Sequence, residues 1–411
     1  MAKLTSSASS RPLDAQDTGV ASAQPVVSAG WRSRLDALLK EWRYPAEERR
    51  DLRLDLLRGL AVFVMVVDHF GGASWLYLIT GNNRFFTSGA EAFVLISGMV
   101  VGLVYGNIVK TKGLRAASIK ALERAWTLYK LTIVMTLVFA ALSALFNLPW
   151  AKGVDLGDPL AFTFNVLILH QTYYLADIPM MYTIFMALAP IGLWLLQHNR
   201  AVWLLLASFL VWLGFQYVNA QQIIIWSTIG NTTFHPAAWQ LLFAWAMVVG
   251  YHRDAVWSWI AKLPRLSYFL FSALLFFWLL HLYTAEMTTL SRLYPGFNVN
   301  LIVDELFNKG NVSVGRILAT VIVFQFGYLA LSYFWRPFNR VLGWLFLPLG
   351  QNSLYSYTMH VVVIGLFYVI LPYLPVDVRE QGVINTGLQL GTLLLLWVMI
   401  KRSFAFNIVP R

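Results

Sequence analysis

The chain has 411 residues, of which 58% are apolar and only 12% charged, with a net charge of +11 and no cysteine. A soluble protein carries roughly a quarter charged residues, so this composition excludes soluble enzymes, secreted disulfide scaffolds and disordered proteins and makes lipid the main solvent. Without cysteine there is no disulfide, no thiolate nucleophile and no thiolate-held metal, while seventeen Trp and eighteen Tyr suit the aromatic belts of a membrane protein.

Residues 1–30 are rich in Ala, Ser, Gln and Val and lack the apolar core and cleavage site of a signal peptide. They read as a disordered cytoplasmic tail. Residues 31–53 carry mixed charge and read as a short helix on the membrane surface, which Pro45 stops near Tyr44. A spanning helix needs about 20 mostly apolar residues. Ten stretches follow that pattern: 56–79, 91–109, 125–147, 178–197, 201–218, 237–251, 266–284, 315–334, 353–371 and 385–400. The sixth is short and has room to begin within the amphipathic stretch 222–236. The apolar loop 148–177 has room for a re-entrant or interfacial helix. The expected fold is therefore an all-α, polytopic integral membrane protein of about ten transmembrane helices. A tail over 1–50 leads into a membrane domain over 51–402 and a short end over 403–411. No internal repeat is visible, which disfavours an inverted-repeat transporter.

If the N-terminus is cytoplasmic and ten spans alternate, twenty-four Lys and Arg fall on the cytoplasmic side and six on the other, with Lys130 inside a span. That bias obeys the positive-inside rule and places both termini in the cytoplasm. The net positive charge is then a topology feature and a contact with anionic lipid, and no nucleic-acid partner is expected.

Ionisable groups inside spans are costly in lipid and are functional candidates. Asp68 and His69 are adjacent in LAVFVMVVDHFGG, and Glu91 opens the second span in SGAEAFVLISG. Counted along their helices, all three lie at similar depth in the outer half of the bilayer. Neighbouring helical residues point about 100° apart, so Glu91 is the better candidate to orient His69, with Asp68 as the alternative facing it from the other side. A lone intramembrane histidine is as often a packing residue as a functional one; the carboxylates beside this one favour function. His360, mid-span in NSLYSYTMHVVVI, reads either as a core residue or as a second polar lining group. No spacing resembles a zinc motif, so no metal is expected. At the cytoplasmic entrance, Asp55 and Arg58 are spaced to pair on one helix face. Arg124 opens the third span, and Lys130 lies about one and a half turns deeper. These cations read either as interfacial snorkelling residues or as a cradle for a phosphate-bearing ligand. There is no Walker A or GxGxxG pattern, so a nucleotide would be held mainly by charge.

The stretches RDLRLDLLRGLAVFVMVVDHF, SGAEAFVLISGMVVGLVYG, ALERAWTLYKLTIV, DIPMMYTIFMALAP, HPAAWQLLFAWAMVVGY and LGQNSLYSYTMH, in this order, resemble the OpgC family, within the acyltransferase-3-like group of membrane acyltransferases. The resemblance covers roughly residues 50–400, and LDxxRG followed by DH is its most specific part. It implies ten spans in a bacterial inner membrane. The implied activity is O-succinylation of osmoregulated periplasmic glucans, with succinyl-CoA as cytoplasmic co-substrate and no permanently bound cofactor. It implies that His69, Glu91 and Arg124 are the matching site residues. Lys130 and the long N-terminal tail depart from the family pattern. The expected site is then catalytic His69, Glu91 and Asp68 above an acyl-CoA cradle of Arg58, Arg124 and Lys130. The partners are acyl-CoA, a glucan or polysaccharide acceptor and membrane lipids. The rival reading is a proton-coupled secondary transporter, in which Asp68, His69 and Glu91 relay protons. A purely structural membrane protein leaves Asp68, Glu91 and Lys130 unexplained.

Overall fold

The computed structural model describes residues 40–45, 50–146, 148, 157–220, 228–231, 233–260, 262–293, 304–374 and 377–411. Among these residues the chain is all-helical in its regular structure, with one isolated bridge between Gln171 and Ile229. The helices of eight residues or more are α1 (Leu52–Phe70), α2 (Gly89–Lys112), α3 (Leu114–Phe146), α4 (Pro159–Leu167), α5 (Asp177–Gln197), α6 (Ala201–Ala220) and α7 (Pro236–Tyr251). They continue with α8 (Arg253–Ile260), α9 (Arg265–Leu293), α10 (Val314–Tyr333), α11 (Trp335–Gln351), α12 (Ser353–Ile370) and α13 (Gly382–Lys401). Eight of them, α2, α3, α5, α6, α9, α10, α12 and α13, are long and apolar enough to cross a bilayer.

The other two expected spans are also helical but fall short for different reasons. α7 has 16 residues, about 24 Å of rise against a ~30 Å hydrocarbon core. It starts at Pro236, the last residue of the stretch 222–236, because proline at the first turn and the His235 side chain accepting from the Ala237 N–H fix its N-terminus. α1 has 19 residues and carries Arg53, Asp55, Arg58 and Asp68. It ends at Phe70 and not near 79, since Gly71 and Gly72 follow at φ +68° and +75°, left-handed conformations that suit glycine. The loop 148–177 holds the short helix α4, as its apolar character suggested. Lys40–Trp42 are helical and Tyr44 is not, so that helix stops where Pro45 predicts. The expected tail over 1–30 lies outside the described residues.

α11 was not expected at all: 335–352 reads in sequence as a cytoplasmic segment bearing Arg336 and Arg340. In the structure it packs closely along α1. A Cβ built at Gly59 would lie 1.9 Å from the Phe346 carbonyl oxygen, and one at Gly350 would lie 1.8 Å from that of Asp55. Only glycine permits so close a crossing, a device helices in lipid use to gain packing where no hydrophobic driving force joins them. Phe63 and Phe346 meet across the same seam, with ring centroids 5.6 Å apart.

α1 is the hub of the residues from Trp42 onward. It touches α2, α10, α11, α12 and α13, and Val62, Val66 and Val67 are fully buried. Its N-terminus is fixed by Asp51, which accepts from the Arg53 N–H at 3.2 Å as N-cap. Its C-terminus is held by α13: the Asn385 amide donates to the carbonyls of Gly71 and Ala73, both at 2.8 Å. Gln389 donates to Val67 at 3.2 Å. The two polar ends of α1 carry the candidate site.

Candidate functional site

His69 is the penultimate residue of α1, 17 residues and therefore about 25 Å from its first turn. Its Nδ1 lies 2.9 Å from Nε2 of His360 on α12, with the rings stacked at 5.2 Å. His360 is fully buried while His69 is partly exposed. The other ring nitrogen of His360, Nδ1, faces the Ser356 carbonyl at 3.3 Å. A carbonyl only accepts, so His360 Nδ1 carries a proton and its Nε2 is an acceptor. His69 Nδ1 must then donate, which leaves the lone pair of His69 on Nε2. The chain Ser356–His360–His69 thus selects one tautomer of His69, with its lone pair on Nε2.

The carboxylates do not take the places expected for them. Glu91 is fully buried but turned away from His69. It accepts from the Ser88 N–H at 2.9 Å and the Ser88 hydroxyl at 2.5 Å, closing the N-terminus of α2, and pairs with the Arg316 Nε of α10. The start of α2 crosses α1 at Ala61, eight residues before His69, and the salt bridge with Arg316 fixes where Glu91 points. Arg316 also donates to the Phe307 carbonyl at 3.0 Å, and its buried Nη2 has no hydrogen-bond partner among the described residues. Asp68, partly exposed, accepts from the Thr80 hydroxyl at 2.7 Å. His69 is therefore oriented by His360, not by Glu91 or Asp68. Lys309, in the segment before α10, donates to Asn83 at 2.9 Å. Burial holds its ammonium below the usual range against the opposing pull of Glu91.

At the other end of α1 the expected Asp55–Arg58 pair is replaced. Asp55 accepts a bidentate pair from Arg50, at 2.6 and 2.9 Å. Arg58 is left with a buried Nε that has no hydrogen-bond partner among the described residues. It lines a cavity of about 330 Å³ together with Arg124, Tyr105, Ser97, Tyr182 and Tyr357. Arg124 also donates to the Arg411 carbonyl at 2.6 Å. Lys130 does not join them: it is exposed, 5.9 Å from the Trp126 ring centroid, on a helix that starts eleven residues before the expected span. Tyr357 belongs both to the cavity wall and to the histidine pair, since its ring stands edge-on to His360 at 5.0 Å. Tyr357 thus stands between the arginine-lined cavity and the histidine pair, which does not itself line that cavity. The structure brings Arg58 and Arg124 to one cavity and His69 against His360, which sequence reasoning left between two readings; Arg316 it passed over as a cation of the external side.

This is a multi-pass helical membrane protein with a polar cavity at one end of α1 and a tautomer-fixed histidine at the other. Residues 50–404 match the OpgC protein family, and the chain belongs to it. That membership makes it a membrane acyltransferase of glucans, in line with the resemblance of its sequence blocks. No curated protein and no solved structure matches the chain.

Proposed function

We propose that the protein transfers a succinyl or similar acyl group from cytoplasmic acyl-CoA to a hydroxyl of a periplasmic glucan in the bacterial inner membrane. The observation that carries this reading is the His360-held imidazole of His69, set above an arginine-lined cavity by a single helix. Arg58 and Arg124 suit the phosphates of the CoA head, because guanidinium groups bind phosphate in a planar fork. Arg58 lies eleven residues, about 16 Å, below His69 on α1, a gap that the flexible arm of CoA fills. His69 Nε2 takes the proton of the acceptor hydroxyl while its oxygen attacks the thioester carbonyl. The carbon–sulfur bond then breaks, and the CoA thiolate leaves with a proton returned by the imidazolium. Incubating purified protein with labelled succinyl-CoA and a glucan tests the reading: free CoA and acylated glucan appear together. A proton-coupled transporter yields neither.

Two expected outcomes follow from the cytoplasmic end. Arg58→Ala and Arg124→Ala each lose a charge-assisted contact of about 1.5–3 kcal/mol, roughly a tenfold to hundredfold weaker Kd for acyl-CoA. Lys130→Ala leaves that Kd unchanged. Calorimetry on folded variants decides, and an unaltered Kd in Arg58→Ala argues that Arg58 is only an interfacial cation. The orientation of α1 rests on the twenty-four to six partition of basic residues, with both ends cytoplasmic. Reporter fusions after Arg411 and within 304–313 should give cytoplasmic and periplasmic readings respectively. A periplasmic C-terminus reverses the donor side.

A further inference from the structure

A second and larger cavity, about 450 Å³, lies apart from the histidine pair, between α2, α7, α8 and α10. Its wall is one face of each helix. On α10 it comprises Ile317, Val321, Phe324 and Tyr328, which recur at helical spacing over eleven residues, about 16 Å. On α2 it comprises Leu95, Met99 and Leu103, about 12 Å. The groove is thus about half as long as a ~30 Å hydrocarbon core is thick. Its wall is apolar apart from Gln325 and a polar end made by Asp51, Arg253, Tyr268 and Tyr328.

The charge at that end does not cancel. Asp51 accepts from Arg53 at 2.8 Å, from Arg253 at 3.1 Å and from Tyr328 at 2.7 Å. These contacts hold its carboxyl below the usual range despite burial. Two guanidinium groups thus share one carboxylate and leave one positive charge. Arg53 is spent on the rings of Tyr44 and Tyr328, 4.2 and 4.3 Å from their centroids. Arg253 is not: about a third of its side chain is exposed at the groove's mouth.

We infer that this groove holds one acyl chain of an anionic phospholipid, with its phosphate on Arg253. The length matches one leaflet, the wall has no polar row to satisfy a peptide backbone, and the single excess charge matches a single phosphodiester. Because Arg253 also binds Asp51, the N-cap of α1, the lipid sits on the residue that anchors the helix carrying Arg58 and His69.

The test uses the full chain in detergent, mixed with phosphatidylglycerol or with phosphatidylcholine of the same chains and read by native mass spectrometry. Phosphatidylglycerol should be retained about tenfold better, as expected for one charge-assisted contact. Arg253→Gln should abolish that preference. Val249→Trp and Val321→Trp fill the groove from positions that are 40% and 44% exposed, where folding tolerates bulk. Both should expel the lipid with the Asp51 cluster intact. Excess inorganic phosphate should not displace the lipid. Equal retention of the two lipids, an undiminished preference in Arg253→Gln, full retention in both tryptophan variants, or complete displacement by phosphate would each overturn the inference.

Discussion

Replacing His69 by alanine should lower acyl transfer by about 10²–10⁴, the usual loss on removing a general base, and leave acyl-CoA binding almost unchanged. The two effects separate because the groups sit at opposite ends of α1. His69 is next to last in that helix, and Arg58 lies with Arg124 in the cavity eleven residues below. His360 gives a graded companion result. His360→Ala removes the acceptor for His69 Nδ1–H, so both tautomers become available and the ring loses its anchor. His360→Gln keeps an acceptor oxygen at that place and should retain more transfer than alanine. Measuring CoA release and CoA binding on the same folded protein checks all three variants. Transfer at the wild-type rate in His69→Ala would remove the base assignment. Equal losses in His360→Ala and His360→Gln would mean that His360 acts through packing and not through its ring nitrogen.

The apolar runs of the sequence located the helices well, because lipid makes length and hydropathy the dominant constraint. The failures have identifiable causes. α1 is shorter than its apolar run because Gly71–Gly72 turns the chain, and that dipeptide is visible in the sequence. α11 escaped notice because it carries Arg336 and Arg340, two prolines and an uneven apolar face. Its place became evident only from the glycines where it crosses α1. Helix counting put Glu91, Asp68 and His69 at one level, but α2 starts against the middle of α1, where a Cβ at Gly89 would lie 2.6 Å from the Ala61 carbonyl oxygen. Depth says nothing of direction around the helix axis. The choice between His69 and Arg316 as partner for Glu91 was made by α10, and the partner of His69 lies 291 residues away on α12. Arg58 shows the converse. Its spacing to Asp55 allowed a pair, but Arg50 took the carboxylate with better geometry and released Arg58 to the cavity.

Glu91→Gln is expected to destabilise the fold strongly and to spare the chemistry of whatever protein folds. Glu91 and Arg316 are a buried pair, 0% and 5% exposed in their side chains. Neutralising the carboxylate leaves a guanidinium in the interior with its counter-charge removed, a change that costs about 3–5 kcal/mol in buried pairs. The Arg316 Nη2 already has no partner among the described residues, so none of them offers a spare acceptor to take over. Glutamine still offers an oxygen to the Ser88 N–H, so the cap of α2 survives in part. Thermal unfolding in detergent should therefore show a large drop for Glu91→Gln. The double variant Glu91→Gln with Arg316→Met should recover much of it, since removing both charges is far less harmful than removing one. Transfer per folded molecule should stay near wild type in the double variant, because His360, not Glu91, holds His69. A stable Glu91→Gln protein that binds acyl-CoA and fails to transfer would contradict this and return Glu91 to the reacting centre.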